Sequence, residues 1–469
     1  MQGRTERTFR GTLSAADVKR HIPHAFHVPE GATRVEATLG FDPAIVSGHR
    51  NMICLSLYDP RTFRGARHRH GNRHTAVICH DSATPGFLPG SLPAGDWVVQ
   101  LETHMVMPGT ACTYRIAVAI DHGAGPPAAA ETPPAPRFDR VADHRSGWYL
   151  GDLHAHTVHS DGAWEVADLV AAARARGLDF VTLTDHNTTG GLAEMARCGG
   201  PGLLTMGGQE LTTYWGHALC LGSRSWQDWR GLTREGPEMA ALAEAIYAGG
   251  GLYVIAHPRT AGDPHCTGCR WLYTWMMPGT AKLVEVWNGD WFGRGDDLRD
   301  RNEAALRLWY GWLNRGHRLV ATAGTDVHGP DRQYRSPDAG FNAVHADRLS
   351  ESAILQGVAA GHVYLTAGPS LRFAAHHQSG ARGMMGDSLP APGGSASVSL
   401  AASWDGVPES ASLRLIAGGQ ARDTLSIPAS GTRTWTVSAA PADADWYVVE
   451  VRGRDGAMLA LSNPIFLDR

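Results

Sequence analysis

The chain has 469 residues, 43% of them hydrophobic and 19% charged, with a formal net charge of −4. That composition excludes a wholly disordered chain. The small negative charge argues against a dedicated nucleic-acid binder, while leaving room for a local basic pocket. No run of residues approaches membrane-spanning length and the first residues hold no apolar signal core, so the expected location is the cytoplasm, away from membranes.

A length of this order implies roughly three domains. Residues 1–121 read as an N-terminal β-sandwich, with short alternating runs at 34–40, 52–58, 96–101 and 113–120 separated by Gly, Pro and Asp turns. Within it, residues 61–74 carry Arg61, Arg64, Arg67, Arg69 and Arg73 among several histidines. Such a run reads as a solvated basic loop. Residues 122–144 form a linker whose clustered prolines favour a semi-stiff, extended tether.

From 145 to 370 strand and helix patterns alternate. Strands are expected at 148–153, 181–184, 252–256, 282–287 and 319–323, and helices at 165–176, 238–248 and about 302–314, with Gly177 and Gly249 as helix stops. Repeated units of this kind imply parallel strands with crossover helices, in a barrel or a doubly wound sheet. Beyond residue 370 the helical pattern stops. Residues 376–396 read as loop and the remainder as a smaller C-terminal β-sandwich over 371–469.

Seven scattered cysteines do not make a disulfide framework, which agrees with a reducing compartment. Cys266-Thr-Gly-Cys269 lacks the second pair that a zinc knuckle needs, and a structural role in its loop is the favoured reading.

The chemistry concentrates just past the carboxyl ends of the central strands, where active sites of parallel α/β folds lie. His154, His156 and Asp161 follow the first strand, and Asp185 and His186 follow the second. Glu210 follows an apolar run at 203–206, with His217 seven residues on; His257 follows the strand at 252–256, and Asp326 and His328 follow the last. One H-x-H is weak evidence, since ordinary strand-end histidines are commoner. Five such groups, each at a strand end, are hard to obtain from core histidines.

The segments Asp152-Leu-His-Ala-His-Thr-Val-His-Ser-Asp-Gly162, Leu183-Thr-Asp-His-Asn-Thr-Thr189, Gly208-Gln-Glu210 with His217, Ala256-His-Pro258 and Gly324-Thr-Asp-Val-His328 resemble the PHP (polymerase and histidinol phosphatase) family of metallohydrolases, in details the CehA/McbA-type branch. The resemblance covers the central domain and implies a distorted seven-stranded βα barrel holding two or three divalent ions. It also implies the ligands His154, His156, Asp161, His186, Glu210, His217, His257, Asp326 and His328. Glu210 would bridge two ions, the first shared with His154, His156 and Asp326 and the second with His217 and His257. Asp161, His186 and His328 would hold a third.

All-nitrogen and oxygen ligands suit Zn, Mn or Fe without choosing among them. Three carboxylates carry −3 against +6 for three divalent ions, and the surplus favours a small anionic substrate. The expected reaction is attack by metal-bound hydroxide on a small phosphomonoester or phosphodiester. A carboxylester, carbamate or amide hydrolase with the same ligands is the rival, and a non-enzymatic, metal-stapled binding module the third reading. Oligomerisation stays open.

Other candidates are Arg259 as a phosphate clamp, Asn288 at a strand end, and Asp152 and Asp185 as partners orienting histidines. Tyr214, Trp215, Trp271 and Trp275 are candidate pocket walls, and His265, His317, His345 and His362 are read as non-ligands.

Overall fold

A computed structural model describes residues 3–123, 135–293, 300–330, 334, 336–390, 397–438 and 445–468. Residues 124–134 of the expected linker lie outside the described residues, and its last part holds the short strand Val141–Asp143. The molecule is mostly β, with five α-helices among those residues. None of these helices is long and apolar enough to cross a membrane.

Between residues 3 and 122 lie two four-stranded antiparallel sheets. One runs in the order Gly3–Leu13, Cys112–His122, Ala32–Asp42, Arg73–Cys79. The other runs His21–Val28, Gly95–Met105, Met52–Tyr58, Phe63–Arg67. Alternate residues turn inward from both sheets, and Leu39, Ile78, Leu55, Trp97 and Ile116 join one apolar core. The basic stretch is not a solvated loop. Two strands occupy much of it, Arg64, His68 and His74 are buried, and Arg67 and Arg69 donate to the carbonyls of Val158 and Ser160 at 3.3 Å.

The central strands split between two sheets. Leu204–Gly207, Phe180–Leu183 and Gly147–Asp152 pair in parallel, followed by antiparallel Phe341–Ala346 and Val363–Thr366. That sheet runs on through Met458–Ser462 into Trp446–Arg452, Ala411–Ala417 and Gln420–Ile427. The second central sheet runs Glu210–Thr212, His217–Leu221, Leu252–Ile255, Leu283–Asn288, Val320–Gly324.

No continuous closed barrel forms among the described residues. The two sheets touch through the isolated bridges Ala155–Val327 and His186–Glu210. Within the second sheet the chain reverses at Thr213–Gly216, so Glu210–Thr212 and His217–Leu221 pair antiparallel, which departs from the expected series of parallel strands. Helices Val166–Arg176, Glu238–Ala248 and Arg301–Leu313 fall where the apolar periodicity places them, the first closed by Gly177 at φ 78°. Helices Leu192–Cys198 and Glu351–Ala359 were not anticipated. The stretch read as loop from 376 holds short strands at Arg382–Met384 and Ser388–Pro390.

A buried polar network ties helix Arg301–Leu313 to the C-terminal strands. Arg452 donates to Glu450 at 2.8 Å and to Glu303, and Tyr310 donates to Glu450 at 2.7 Å. Arg452→Ala leaves the Glu450 carboxylate, 3% exposed, without its close cation, with only the half-exposed Arg414 at 3.9 Å. The expected loss is ~3–5 kcal/mol, read as a lower urea midpoint. The pair Glu450→Gln with Arg452→Met should regain much of it, because no buried charge then stands alone. A midpoint for R452A equal to the parent's would contradict this.

Candidate metal centre

Strand ends set the positions of the site's side chains. His154 and His156 leave strand Gly147–Asp152 and share a side, and His186 leaves Phe180–Leu183. Glu210 opens its strand, and the hairpin at 213–216 returns His217 beside it. His257 and Asp326 follow strands Leu252–Ile255 and Val320–Gly324 with φ of 27° and 54°, a region few side-chain-bearing residues occupy. Gly324 is required by crowding: a Cβ there would collide with His154 and Glu285.

The nine expected ligands meet in one place, with Glu210 at the middle and fully buried. Its Oε2 lies 3.1 Å from His154 Nε2, 3.2 Å from His156 Nε2 and 3.0 Å from His186 Nδ1. Its Oε1 lies 3.0 Å from His217 Nδ1 and 2.9 Å from His257 Nε2. Asp326 Oδ1 is 3.0 Å from His156 Nε2, and Asp161 Oδ1 is 3.1 Å from His328 Nε2.

Donor atoms gather within 4.8 Å of one another in three sets: His154, His156, Glu210 and Asp326; His186, Glu210 and His217; His156, Asp161, His186 and His328. The family resemblance puts His257, not His186, beside His217 on the second ion; here both imidazoles reach Glu210.

These spacings fit divalent ions. Metal–ligand bonds of 2.0–2.2 Å place neighbouring donors roughly 3–3.5 Å apart. His154 Nε2 and His156 Nε2 face each other at 3.1 Å, an arrangement in which two lone pairs repel unless a cation or proton lies between.

Charge makes the same demand. Burial pushes the Glu210 carboxyl up, but the imidazoles of His186, His154 and His217 more than offset it and hold it well below the usual range. Asp161 and Asp326 are likewise held low against burial, chiefly by His328 and by His154. Burial opposes charge on His328 too, yet Asp161 lifts it to about 10. The buried Glu210 and the half-buried Asp161 and Asp326 thus call for positive charge, whether as protons on imidazoles or as metal ions.

The chain also supplies a supporting acid that sequence reasoning missed. Glu285 accepts from His154 Nδ1 at 2.9 Å and from the His257 backbone at 2.9 Å. With Nδ1–H committed to Glu285, the lone pair of His154 Nε2 points into the centre. The signal lay in the strand itself, since a lone Glu in Leu283–Asn288 is a carboxylate among buried neighbours. Thr212 similarly meets His186 Nδ1 at 2.5 Å.

Several other expectations change. Asp152 and Asp185 do not orient imidazoles. Asp152 accepts from Thr325, Tyr334 and the His154 backbone, and Asp185 from Thr157 and Ser160, so both pin loop backbone. Asn288 is buried and reaches Glu285 at 3.0 Å and Asp326 at 3.4 Å, which makes it a positioning residue.

Arg259 is exposed and lines a separate pocket with Arg270, Arg307 and Arg315, away from the nine. Trp275 is 60% exposed, and Tyr214, Trp215, Trp271 and Trp275 are absent from the lining of the central cavity.

That cavity, ≈410 Å³, is walled by Asp161, His186, His217, His257, Asp326 and His328 on one side. The N-terminal sheets contribute His49, Arg50, His68 and His70, and Cys266 and Cys269, joined as a disulfide, complete the rim. His265, read as a non-ligand, also lines it.

No protein-family model matches the chain. A short stretch matches a phosphatase. The 3',5'-nucleoside bisphosphate phosphatase of Chromobacterium violaceum is 41% identical over 66 residues, 14% of this chain and 23% of that protein. The chain thus spans about a quarter of the length of that curated relative.

Among solved structures, a two-domain protein of Bacteroides vulgatus containing a predicted PHP-like metal-dependent phosphoesterase is 16% identical, covering 70% of this chain and 98% of that one at a TM-score of 0.37. An amidohydrolase of Chromobacterium violaceum is 21% identical, covering 39% of this chain and 89% of that one at a TM-score of 0.26. Superpositions this partial do not bear on the chemistry, which rests on the side chains above.

Glu285→Ala frees the His154 ring without removing a donor from the centre. Its expected effect is a ~10–100-fold weaker ion affinity, measured by calorimetric titration of the metal-free protein, with circular dichroism unchanged. Undiminished affinity would show that Glu285 does not set the ring.

Proposed function

We propose that the chain is a metal-dependent hydrolase of the PHP type, CehA/McbA-like, that cleaves small phosphomonoesters or phosphodiesters. The observation that carries this reading is the division of the Glu210 carboxylate, Oε2 toward His154, His156 and His186 and Oε1 toward His217 and His257. A staple for a fold needs four closed ligands around one ion. An acid shared by several imidazoles beside an open cavity serves a reaction better.

The assignment of the nine donors as ligands of two or three ions of zinc, manganese or iron is part of the proposal. So is the division of the chain into flanking β-sandwiches around a distorted barrel. Bound divalent ions would supply Lewis acidity toward a phosphoryl oxygen and lower the pKa of solvent water. The chain's own residues do the rest. Glu285 fixes the tautomer of His154, Asn288 steadies Asp326, and Asp152 and Asp185 hold the loops that carry the histidines.

Arg50, exposed in the cavity wall, offers a planar fork to the anionic end of a substrate. The cavity volume of ≈410 Å³ suits a small molecule and not a polymer. The local likeness to a bisphosphate phosphatase supports phosphorus over carbon as the electrophile.

Metal-loaded protein should hydrolyse p-nitrophenyl phosphate or its diester analogue, and both chelation and His154→Ala should abolish the activity. Turnover of an aryl carbamate but of no phosphoester would transfer the assignment to carbonyl chemistry, and no turnover of either would remove the enzyme reading.

Arg50→Ala should raise KM for the phosphoester ~10-fold, as loss of one charge-assisted contact requires, with kcat little changed. An unaltered KM would show that the guanidinium does not meet the substrate.

A further inference from the structure

A second cluster of ligating side chains lies behind the cavity wall, on the N-terminal sheets alone. Cys54 sits on strand Met52–Tyr58, His104 near the end of Gly95–Met105, and His68 just after Phe63–Arg67. All three are buried, Cys54 and His104 completely. Their ligating atoms lie within 4.8 Å of one another, with Cys54 Sγ 3.5 Å from His68 Nδ1.

The pairing of the two strands explains the convergence. Met52 pairs with Met105 and Ile53 with Thr103, so His104 is the extra residue of a β-bulge. Bulges re-aim side chains, and this one turns His104 to the face that carries Cys54, opposite the module's own apolar core.

An independent observation points to a missing partner. Neither ring nitrogen of His104 has a hydrogen-bond partner, although the side chain is fully buried. In either neutral tautomer one N–H and one lone pair go unanswered, at a cost of ~1–3 kcal/mol for each group. The rings of His68 and Tyr214 pack edge-on at 4.7 and 5.0 Å and supply no acceptor. Nearby, Glu102 pairs across the strands with Cys54, and its buried Oε2 also lacks a donor.

A cation among Cys54, His68 and His104 answers the unused lone pair and adds positive charge next to the strand that carries Glu102. A donor set of one sulfur and two imidazole nitrogens is softer than the all-nitrogen and oxygen set of the central site, and it selects a thiophilic ion.

We propose that Cys54, His68 and His104 form a separate site for a zinc-type transition-metal ion, with three protein donors and one position left for solvent. His68 lies against His186 at 4.7 Å between ring centroids, so an ion there would stiffen the wall that the N-terminal sheets contribute to the cavity. The site depends on no assumption about the reaction at Glu210.

Cobalt separates the two centres, because only a thiolate ligand gives the near-ultraviolet sulfur-to-cobalt charge-transfer band. Full-length protein stripped by chelator and reloaded with Co(II) alone should show that band. The Cys266→Ser/Cys269→Ser double variant should keep it, and Cys54→Ser should lose it along with one zinc equivalent per chain by elemental analysis.

His104→Gln, which retains the thiol, should need at least ~10-fold more cobalt to develop the band. It decides the matter should C54S fail to fold by circular dichroism. A wild-type protein saturated with cobalt that shows no thiolate band would overturn the proposal. So would a band that survives C54S, one that vanishes in the Cys266/Cys269 variant, or one unmoved by H104Q.

Discussion

A single buried carboxylate governs the centre of this molecule. Glu210 is inaccessible to solvent, and a charge in that position is costly unless cations or strong donors surround it. The fold meets the demand by delivering imidazoles from separate strand ends: His154 and His156 from one, His186, His217 and His257 from three others. Each delivery has a local cost. His257 and Asp326 adopt left-handed backbone, and the strand bearing Asp326 ends at Gly324 because the ring of His154 and the carboxylate of Glu285 occupy the space a side chain would need. Such conformations persist only where the surroundings over-determine them.

The N-terminal sheets belong to the same constraint. The loop that carries Asp161 is held from outside: His159 Nδ1 accepts from the Gly86 backbone, and the carbonyls of Val158 and Ser160 accept from Arg67 and Arg69. Thr188, two residues past His186, donates to the Gly86 carbonyl at 2.7 Å. The basic stretch and Gly86 together clamp two loops of the centre. Arg67 and Arg69 spend their charge on carbonyl oxygens at the junction, and among the described residues Arg50 is the arginine in the cavity wall.

How much of this could be read from the residues alone varies with the kind of information involved. The set of side chains that converge was legible, because His-x-His, Asp-His and Asp-Val-His repeat at strand ends and period-two geometry gives neighbouring side chains one side. Helices with clear apolar faces and glycine stops were legible for the same local reason. Sheet order was not. The hairpin at 213–216 interrupts a series that local patterns present as unbroken βα units, and the continuation of a central sheet into Met458–Ser462 depends on pairing between residues nearly a hundred positions apart. The fate of charged side chains was least legible. Arg64, His68 and Glu285 look like surface groups until tertiary contacts bury them, and Arg259, next but one to His257, turns outward to other arginines.

Charge also bears on the class of substrate. Four carboxylates, Asp161, Glu210, Glu285 and Asp326, surround the donors, so two divalent ions would neutralise the centre and a third would give it an excess of positive charge. Among the described residues the rim adds Arg50 and no acidic side chain beyond Asp161 and Asp326, both of which belong to the donor sets. A neutral ester gains little from such a rim before its transition state forms. A phosphoester brings negative charge in its ground state and keeps it through transfer, so the same field that binds it also accommodates the displaced oxygen. The balance of charge therefore agrees with the proposed phosphoester substrate, while the donor set by itself serves either electrophile.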